Sequence, residues 1–344
     1  MQNVVEALGA ARTPTPATRR CADLPPSPIP MGEGRVRALI LLRCLALVGL
    51  CTAAALCRAD DSAEFPPELT RFEPAAHNPV FTAEGPGHWD VKMRERGWIL
   101  REGDVWHLFY TGYDGTRAGI KRLGHATSSD GLNWARDPGN PIYGEHWTED
   151  MMVVKHGDTF YMFTEGLDDH AQMLTSKDLI HWTWNGFLDI RKVNGEKIAP
   201  GPYGTPTALF EDGRWLLFYE RYDAGVWLAQ SSDLKTFTNL QDEPVLRPGP
   251  DKCDRRFIAL NQIIKYKGRY YACYHGSPGD SKPAIWSSNL AVSTDLIHWK
   301  KYPGNPLRPL SENRSSNLLI DDGKQFRLYT MHDAVWVYFP VRSH

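Results

Sequence analysis

The sequence has no large excess of charge of either sign, which limits the functions it can serve. Its 344 residues include 39 lysines and arginines against 41 aspartates and glutamates, a formal net charge of −2. Proteins that bind nucleic acid or acidic membrane surfaces concentrate positive charge, so neither partner is indicated. The length and this balance predict one sizeable folded domain.

Cysteine is scarce in the part of the chain that we expect to fold. Four of the six cysteines lie within residues 1–57, and only Cys253 and Cys273 follow. In an oxidising compartment these two could form a disulfide. Cys273 lies in an aromatic strand, where a buried free thiol is an equal alternative. No spacing of cysteine and histidine resembles a zinc site.

Long hydrophobic runs are absent except near the N-terminus. Residues 1–30 are rich in proline and polar residues, and we expect them to be an unfolded extension ahead of the true start at Met31. Residues 31–59 combine basic residues, the apolar run Cys44–Leu56 and a small-residue end, which is typical of a secretory signal peptide. An uncleaved anchor is the alternative. We therefore expect a secreted or periplasmic protein without stable membrane insertion after processing.

The remainder of the chain contains one unit repeated five times. Each copy has an apolar strand, a turn glycine and an aromatic strand, as in GWILREGDVWHLFYTGYDG at 97–115. The turn glycines are Gly103, Gly157, Gly213, Gly268 and Gly323. Four copies are followed by a Ser-x-Asp motif that ends in an aromatic residue four positions after the aspartate, beginning at Ser128, Ser176, Ser231 and Ser293.

The spacing of these units predicts the fold class. The last residues of the five aromatic strands are Thr111, Glu165, Glu220, His275 and Thr330, which lie 54, 55, 55 and 55 residues apart. Each unit supplies one antiparallel sheet of three to four strands. Self-similarity at this period is typical of radially repeated sheets. We predict an all-β fold, a single five-bladed β-propeller over residues 60–344.

One face of this propeller is predicted to hold most of the chemistry. In a hairpin, the start of the first strand lies beside the end of the second. The first-strand starts are Arg96, Asp150, Pro206, Asn261 and Ser316, and charged residues beside the strand ends include Asp114 and Asp333. Desolvating so many charged groups is costly unless they bind each other or a ligand. The face is therefore either a set of ion pairs between blades or a site for glycosidic bond hydrolysis, which requires two carboxyl groups of different pKa.

The repeats resemble the five-bladed β-propeller glycosidase superfamily, which includes glycoside hydrolase families 32, 43, 117 and 130. The resemblance rests on the hairpins, the Ser-x-Asp endings, the Trp89-Asp90 pair ahead of the first strand, and Asn-Pro turns that begin at Asn78, Asn140 and Asn305. It covers about residues 77–340 and is nearest to families 43 and 117. The Asn-Asp-Pro-Asn and Arg-Asp-Pro motifs of family 32 are missing, which argues against a fructan substrate.

The resemblance implies an aspartate base, a second aspartate that holds the geometry, and a glutamic acid that donates a proton. Asp90 matches the base, with Glu95 as its rival, and Asp150 matches the second aspartate. We select Glu220 as the proton donor. If the acid is instead a histidine, as the resemblance to family 117 allows, the donor is His275. The candidate catalytic residues are Asp90, Asp150, Glu165, Glu220 and His275.

The neighbouring polar residues are candidates for substrate binding. The arginines among them would bind sugar hydroxyls, or the sulfate or carboxylate of an anionic glycan. We expect no required cofactor; the resemblance allows a structural calcium or another ion in the central channel, although no dense carboxylate cage is visible. The candidates are Arg94, Glu95, Trp147, Glu149, Arg221, Asn261, Arg314 and His332.

We thus expect a glycoside hydrolase that acts on an oligosaccharide or polysaccharide. A separation of roughly 6.5–9.5 Å between acid and base would select inversion of configuration. One alternative is a glycoside phosphorylase of the same fold, which phosphate-dependent turnover would reveal. The other is a non-catalytic glycan-binding propeller, which would bind sugars without releasing a product.

Overall fold

The computed structural model describes residues 64–341, in which five small antiparallel sheets follow one another along the chain. The expected extension at 1–30 and the expected signal peptide at 31–59 lie outside the described residues. Within 64–341, no helix has the length and apolarity needed to cross a bilayer. The helices are α1 (Pro67–Thr70) and three single 3₁₀ turns at Leu167–Asp169, Lys252–Asp254 and Leu310–Glu312.

The sheets are the five predicted blades. Blade I contains β3 (Lys92–Glu102), β4 (Val105–Tyr113), β5 (Arg122–Ser128) and β6 (Ala135–Arg136), and blade II contains β7 (Glu149–His156), β8 (Thr159–Glu165), β9 (Ala171–Ser176) and β10 (Thr183–Phe187). Blade III contains β11 (Asp189–Arg191), β12 (Thr207–Glu211), β13 (Arg214–Glu220), β14 (Val226–Ser231) and β15 (Thr236–Asn239). Blade IV contains β16 (Phe257–Tyr266), β17 (Arg269–Ser277), β18 (Ser287–Ser293) and β19 (Lys300–Lys301). Blade V contains β20 (Asn317–Asp321), β21 (Phe326–Met331), β22 (Ala334–Pro340), β1 (Phe72–Pro74) and β2 (Phe81–Thr82).

The first strand of each hairpin lies at the centre of a closed ring. Strand β3 contacts β7, β7 contacts β12, β12 contacts β16, β16 contacts β20, and β20 contacts β3 again. This order confirms the predicted five-bladed β-propeller. The second, third and fourth strands of each blade then lie progressively further from the centre.

The ring is closed by the two ends of the described chain. Phe72 in β1 pairs with Pro340 in β22, and Phe81 in β2 pairs with Val335 on the same strand. The sequence analysis assigned no strand to residues 72–74. They adopt one because β22 would otherwise present an unpaired edge.

Local sequence determines the turns of the repeat. All five turn glycines have positive φ values between 60° and 87°, a region that glycine enters without steric cost. In the Ser-x-Asp motif of blade I, Ser128 Oγ accepts from the Gly131 N–H at 2.9 Å, and Asp130 Oδ1 accepts from the Leu132 N–H at 2.8 Å. The same pair of bonds recurs in blades II, III and IV. The motif is therefore a hydrogen-bonded turn.

The core lies between the blades, and the aromatic residue that ends each Ser-x-Asp motif contributes to it. The ring of Trp182 in blade II packs edge-on against Phe109 in blade I at 5.9 Å. Phe237 and Trp299 make the corresponding contacts with Phe163 and Phe218 of the blade before. These residues thus hold adjacent sheets together through aromatic contacts.

The two cysteines of the described residues do not form a disulfide. Cys253 and Cys273 are both buried free thiols.

Candidate active site

A cavity of about 210 Å³ lies where the strand ends of the five blades meet, and we call it the central cavity. Every blade contributes to its wall, as the strand-end analysis expected. Its lining is strongly acidic and contains Arg94, Glu95, Asp150, Glu165, Asp169, Thr205, Glu220, Asp223, His275, Trp286, Ser315, Ser316 and His332.

Strained backbone at the start of four inner strands directs side chains into the central cavity. Glu95, Asp150, Thr205 and Ser316 have φ values of 58°, 48°, 44° and 53°. Non-glycine residues rarely adopt this left-handed region, and such strain is concentrated at functional sites. In blades I and II the same positions interrupt the pairing register between the first and second strands. The distortions repeat around the ring, so they belong to the architecture of the site.

Glu95 is the cavity carboxylate that is held in its ionised form. Arg94 Nη2 donates to Glu95 Oε1 at 2.5 Å, and His332 Nδ1 lies 3.5 Å from Oε2. Burial alone would raise the pKa of Glu95, but the charges of His332 and Arg94 outweigh burial and lower it. Arg94 Nε also lies 3.0 Å from Glu149 Oε2. The arginine is therefore shared by two carboxylates.

Asp150 and Glu165, unlike Glu95, are the cavity carboxyl groups that retain their protons. Both side chains are almost completely buried. Burial, followed by repulsion from neighbouring carboxylates, raises the pKa of each well above its ordinary value. Thr205 N–H donates to Glu165 Oε2 at 2.9 Å, and Arg96 N–H donates to Asp150 Oδ1 at 3.2 Å. The central cavity therefore combines an ionised carboxylate with carboxylic acids.

Glu220 and Asp223 form a second pair on blade III. Burial raises the pKa of Glu220, yet both of its oxygens accept backbone N–H groups, from Gly204 and from Asp223. Burial and the charge of Glu220 raise the pKa of Asp223 to about 8. Because backbone donors favour the ionised form, Glu220 is less suited to hold a proton than Glu165.

His275 lies in the wall of the central cavity as a neutral imidazole. Burial lowers its pKa to about 4. Its Nδ1 lies 2.7 Å from the side-chain amide of Asn261, which also contacts Asn317. Trp286 packs edge-on against the His275 ring at 5.3 Å. Asn261 therefore orients His275 from behind and does not line the central cavity.

Arg96, which directly follows Glu95, is completely buried among the inner strands. Its guanidinium donates to the carbonyl oxygens of Pro206, Leu260 and Asn261 at 2.7–3.0 Å, and to that of Asp150. Burial lowers its pKa to about 10, so it remains charged at neutral pH. The side chain thus links blade I to the inner ends of blades II, III and IV.

Three carboxylates beside the central cavity are close enough to hold a cation. Oxygen atoms of Glu149, Glu165 and Asp169 all lie within 4.8 Å of one another. Burial raises the pKa of Glu149 to about 7, and burial raises that of Glu165 well above its ordinary value. Protons therefore compete for the oxygens that a cation would need.

Asp90, the residue that best matched the base, lies apart from the central cavity. It is completely buried, with Oδ2 at 3.4 Å from the hydroxyl of Tyr110 and 3.7 Å from Arg136 on the outermost strand of blade I. Blade IV repeats this arrangement with Asp254, whose Oδ2 contacts Tyr274 and Lys301. Since the same cluster occurs in two blades, we assign Asp90 a structural role, which corrects the sequence-based prediction.

Three candidate binding residues also lie outside the central cavity. Trp147 packs over the ammonium group of Lys121 at 4.1 Å. Arg221 donates to the carbonyl oxygens of residues 199, 200 and 202, and Arg314 stacks on Trp336 at 3.8 Å. None of the three lines the central cavity, where the prediction that they bind substrate would place them.

Two acidic residues of the central cavity were absent from the candidate sets. Asp169 and Asp223 follow the ends of β8 and β13, and both have a φ of 54°. They lie 54 residues apart and thus occupy equivalent loops of the repeat. This spacing could have identified both residues from the sequence, because it matches the spacing of the strand ends.

Comparisons with known proteins agree with this architecture. No protein-family model matches the chain. A 1,2-beta-oligomannan phosphorylase from Thermoanaerobacter sp. (strain X514) is 24% identical over 226 residues, which cover 61% of this chain and 73% of the phosphorylase.

Solved structures extend the similarity to the whole propeller. A protein from Parabacteroides distasonis, provisionally described as a glycoside hydrolase, superposes with a TM-score of 0.67 at 17% identity, over 82% of this chain and 99% of its own. A member of glycoside hydrolase family 130, from work on hydrolases that target β-1,2 mannosidic linkages in Candida mannan, superposes with a TM-score of 0.60 at 15% identity, over 79% and 95% of the two chains. The chain therefore has the fold of the five-bladed β-propeller glycosidase superfamily, as the sequence resemblance indicated.

Proposed function

We propose that the protein is a glycoside hydrolase that removes terminal sugar residues from β-1,2-linked mannosides by attack of water. The observation that carries the proposal is the contrast between Glu95, whose pKa is lowered, and Glu165, whose pKa is raised well above its usual value, in one cavity. Glycosidic hydrolysis needs such a pair, because one group must accept a proton from water while the other gives a proton to the leaving oxygen.

In this mechanism Glu95 is the base and Glu165 is the acid. His332 and Arg94 keep Glu95 ionised, so it can accept the proton of the attacking water. Burial keeps the proton on Glu165, and repulsion from Asp150 and Glu149, whenever either of them ionises, adds to this effect. The bond from water to the anomeric carbon forms as the glycosidic bond breaks, and the leaving oxygen takes the proton of Glu165. This single displacement inverts the anomeric configuration.

The charge of the central cavity favours water over phosphate as the attacking group. Arg94 is the one arginine among its lining residues, and Glu95 and Glu149 already engage it. His275 is neutral at neutral pH because its pKa is about 4. A phosphate dianion would therefore meet the ionised Glu95 carboxylate and no unpaired guanidinium. The same repulsion favours a neutral sugar over a sulfated or otherwise anionic glycan.

The substrate is proposed from two relatives whose descriptions agree on one linkage. The sequence relative acts on 1,2-β-oligomannan, and the family 130 structure comes from work on β-1,2 mannosidic linkages. The bonds of Arg96 to the inner strands of three other blades support closure of the channel to a threading sugar chain. Attack at a chain end follows from this closure.

The test is an assay of purified protein with β-1,2-mannobiose. It is run with and without inorganic phosphate at about 10 mM. We expect mannose to be released at the same rate in both, with ¹H NMR detecting the α anomer first. Turnover that requires phosphate and yields mannose 1-phosphate would establish the phosphorylase instead. Tight binding of mannobiose without any product would establish the non-catalytic alternative.

A further inference from the structure

A second concave surface lies beside the central cavity on the same face of the propeller, and we call it the outer pocket. Its volume is about 530 Å³, larger than that of the central cavity. It lies between the end of blade II and the connection that leads into β12 of blade III. Its lining residues are His170, Phe187, Leu188, Asp189, Ile190, Lys197, Ile198, Ala199, Pro200, Gly201 and Tyr203.

The outer pocket and the central cavity share a wall of two residues. His170 directly follows Asp169, which lines the central cavity, and Tyr203 comes two residues before Thr205, which also lines it. The rings of His170 and Tyr203 stack at 4.6 Å with an interplanar angle of 19°. Backbone bonds of 2.8–2.9 Å join Tyr203 to Asp169 and Ala171. A ligand that leaves the central cavity over this wall therefore enters the outer pocket.

The surface of the outer pocket is aromatic and apolar with a few charged groups at its edge. Phe187 is 47% exposed and packs edge-on against His170 at 5.8 Å. Leu188 and Ile190 are buried beneath it, while Asp189 is held by Arg191 at 2.7 Å. A pyranose ring presents C–H groups on one face and hydroxyls at its edge. Exposed aromatic rings beside fixed polar groups match both features.

The outer pocket is held in shape by Arg221, which lies next to the Glu220–Asp223 pair of blade III. Arg221 Nε donates to the Pro202 carbonyl at 2.7 Å, and Nη2 donates to that of Ala199 at 2.9 Å. These bonds fix the loop that forms the far wall, and Arg221 directly follows Glu220. The position of Arg221, which did not fit substrate binding, is thus explained by support of this loop. A preformed pocket binds with less loss of conformational entropy.

We infer that the outer pocket binds the sugar residues that continue the substrate chain beyond the residue held in the central cavity. The inference rests on the proposed function, because it assigns the remainder of the same oligosaccharide. A chain held at one end in the central cavity reaches the outer pocket over the shared wall of His170 and Tyr203. The enzyme is therefore built for oligosaccharides longer than a disaccharide.

The experiment measures kcat/KM for β-1,2-linked mannose oligomers from the disaccharide to the pentasaccharide, with 4-nitrophenyl β-mannoside as a short reference. The test variant is Phe187→Ala, and the matched control is Phe210→Ala, a 37% exposed phenylalanine on the opposite face. We expect kcat/KM to rise with chain length in the wild type and in Phe210→Ala. In Phe187→Ala the gain should fall about three- to tenfold, since one aromatic contact supplies about that factor.

Two results would overturn the inference while leaving the proposed function intact. One is a wild-type kcat/KM that does not depend on chain length. The other is an equal loss for Phe187→Ala on every substrate, including the nitrophenyl mannoside. If no mannoside is hydrolysed, the proposed function fails, and calorimetric titration with mannotetraose decides the outer pocket separately. Binding that Phe187→Ala weakens supports it, and absence of binding to the wild type overturns it.

Discussion

The guanidinium of Arg96 donates a hydrogen bond of 2.8 Å to the carbonyl oxygen of Asn261, a residue 165 positions later in the chain. One side chain from blade I thereby holds the inner strand of blade IV, and it holds blades II and III in the same way. The inner ends of four blades therefore depend on the same group.

Arg96→Met should destabilise the protein strongly. The substitution leaves several buried carbonyl oxygens without donors, and loss of one partner from a buried charged network costs about 3–5 kcal/mol. Urea unfolding followed by tryptophan fluorescence measures the change in the free energy of unfolding. Arg214→Met is the control, because Arg214 is exposed and bonds only Gln230 among the contacts described; it should change stability by about 0.5 kcal/mol or less. Equal effects of the two substitutions would contradict the role of Arg96.

Substitution of the proposed acid and base should give different dependence on the leaving group. Glu165→Gln should lower turnover of mannobiose about a hundredfold or more, yet retain most activity on 2,4-dinitrophenyl β-mannoside, whose leaving group needs no proton. Glu95→Gln should lose activity on both substrates. Asp90→Asn is the control outside the central cavity and should retain turnover. If Glu220→Gln rather than Glu165→Gln spares the activated substrate, then Glu220 is the donor, as the sequence suggested.

The pH dependence of kcat/KM should be bell-shaped, with an alkaline limb that depends on Asp150. Activity requires ionised Glu95 and protonated Glu165, so it rises through the lowered pKa of Glu95 and falls through the raised pKa of Glu165. Asp150→Asn removes a carboxyl group whose ionisation at alkaline pH opposes that of Glu165, so the pKa of Glu165 falls and the alkaline limb moves to lower pH. Asp169→Asn should cause a smaller shift in the same direction. Profiles that stay in place for both variants would show that Glu165 is not the acid.

Activity should survive removal of divalent cations. The pKa values of Glu149 and Glu165 are raised, so protons compete with a cation for these oxygens, and Arg94 already neutralises Glu149. Initial rates on mannobiose after dialysis against EDTA should remain within about twofold of the untreated rate, because no step of the proposed mechanism uses a metal ion. A complete loss that calcium restores would instead place an ion between Glu149, Glu165 and Asp169.

Export should remove the N-terminal part of the chain. The apolar run Cys44–Leu56 ends at small residues before Asp60, which favours cleavage at about Ala59. Intact-mass measurement of protein recovered from the exported fraction checks the mature N-terminus. Recovery of the uncleaved chain from the membrane fraction would favour the anchor.

The sequence predicted the blades because each hairpin is specified locally. A turn glycine, an apolar strand and an aromatic strand recur at a constant period, and every copy must pack on the next. Pairing of Phe72 with Pro340 could not be found in this way, since it depends on closure of the whole ring rather than on a local pattern.

Part of the candidate site could be predicted because the repeat also fixes where each strand ends. The strand-end rule placed Glu165, Glu220 and His275 on one face, where the structure brings them together. Asp90 was misassigned because sequence position ahead of a strand does not distinguish the channel from the outer edge of a blade. Its repeat in Asp254, 164 residues later with an equivalent tyrosine 20 residues on, was the signal of a structural role.

The pairing of β1 with β22 has a consequence for synthesis of the protein. A nascent chain emerges from the ribosome N-terminus first, so β1 is exposed in the cell long before its partner strand exists. The last residue of the central cavity to emerge is His332, and β22 follows it directly. Catalytic competence is therefore acquired only after the fifth blade has been synthesised, and until then four finished blades expose an edge that chaperones can recognise.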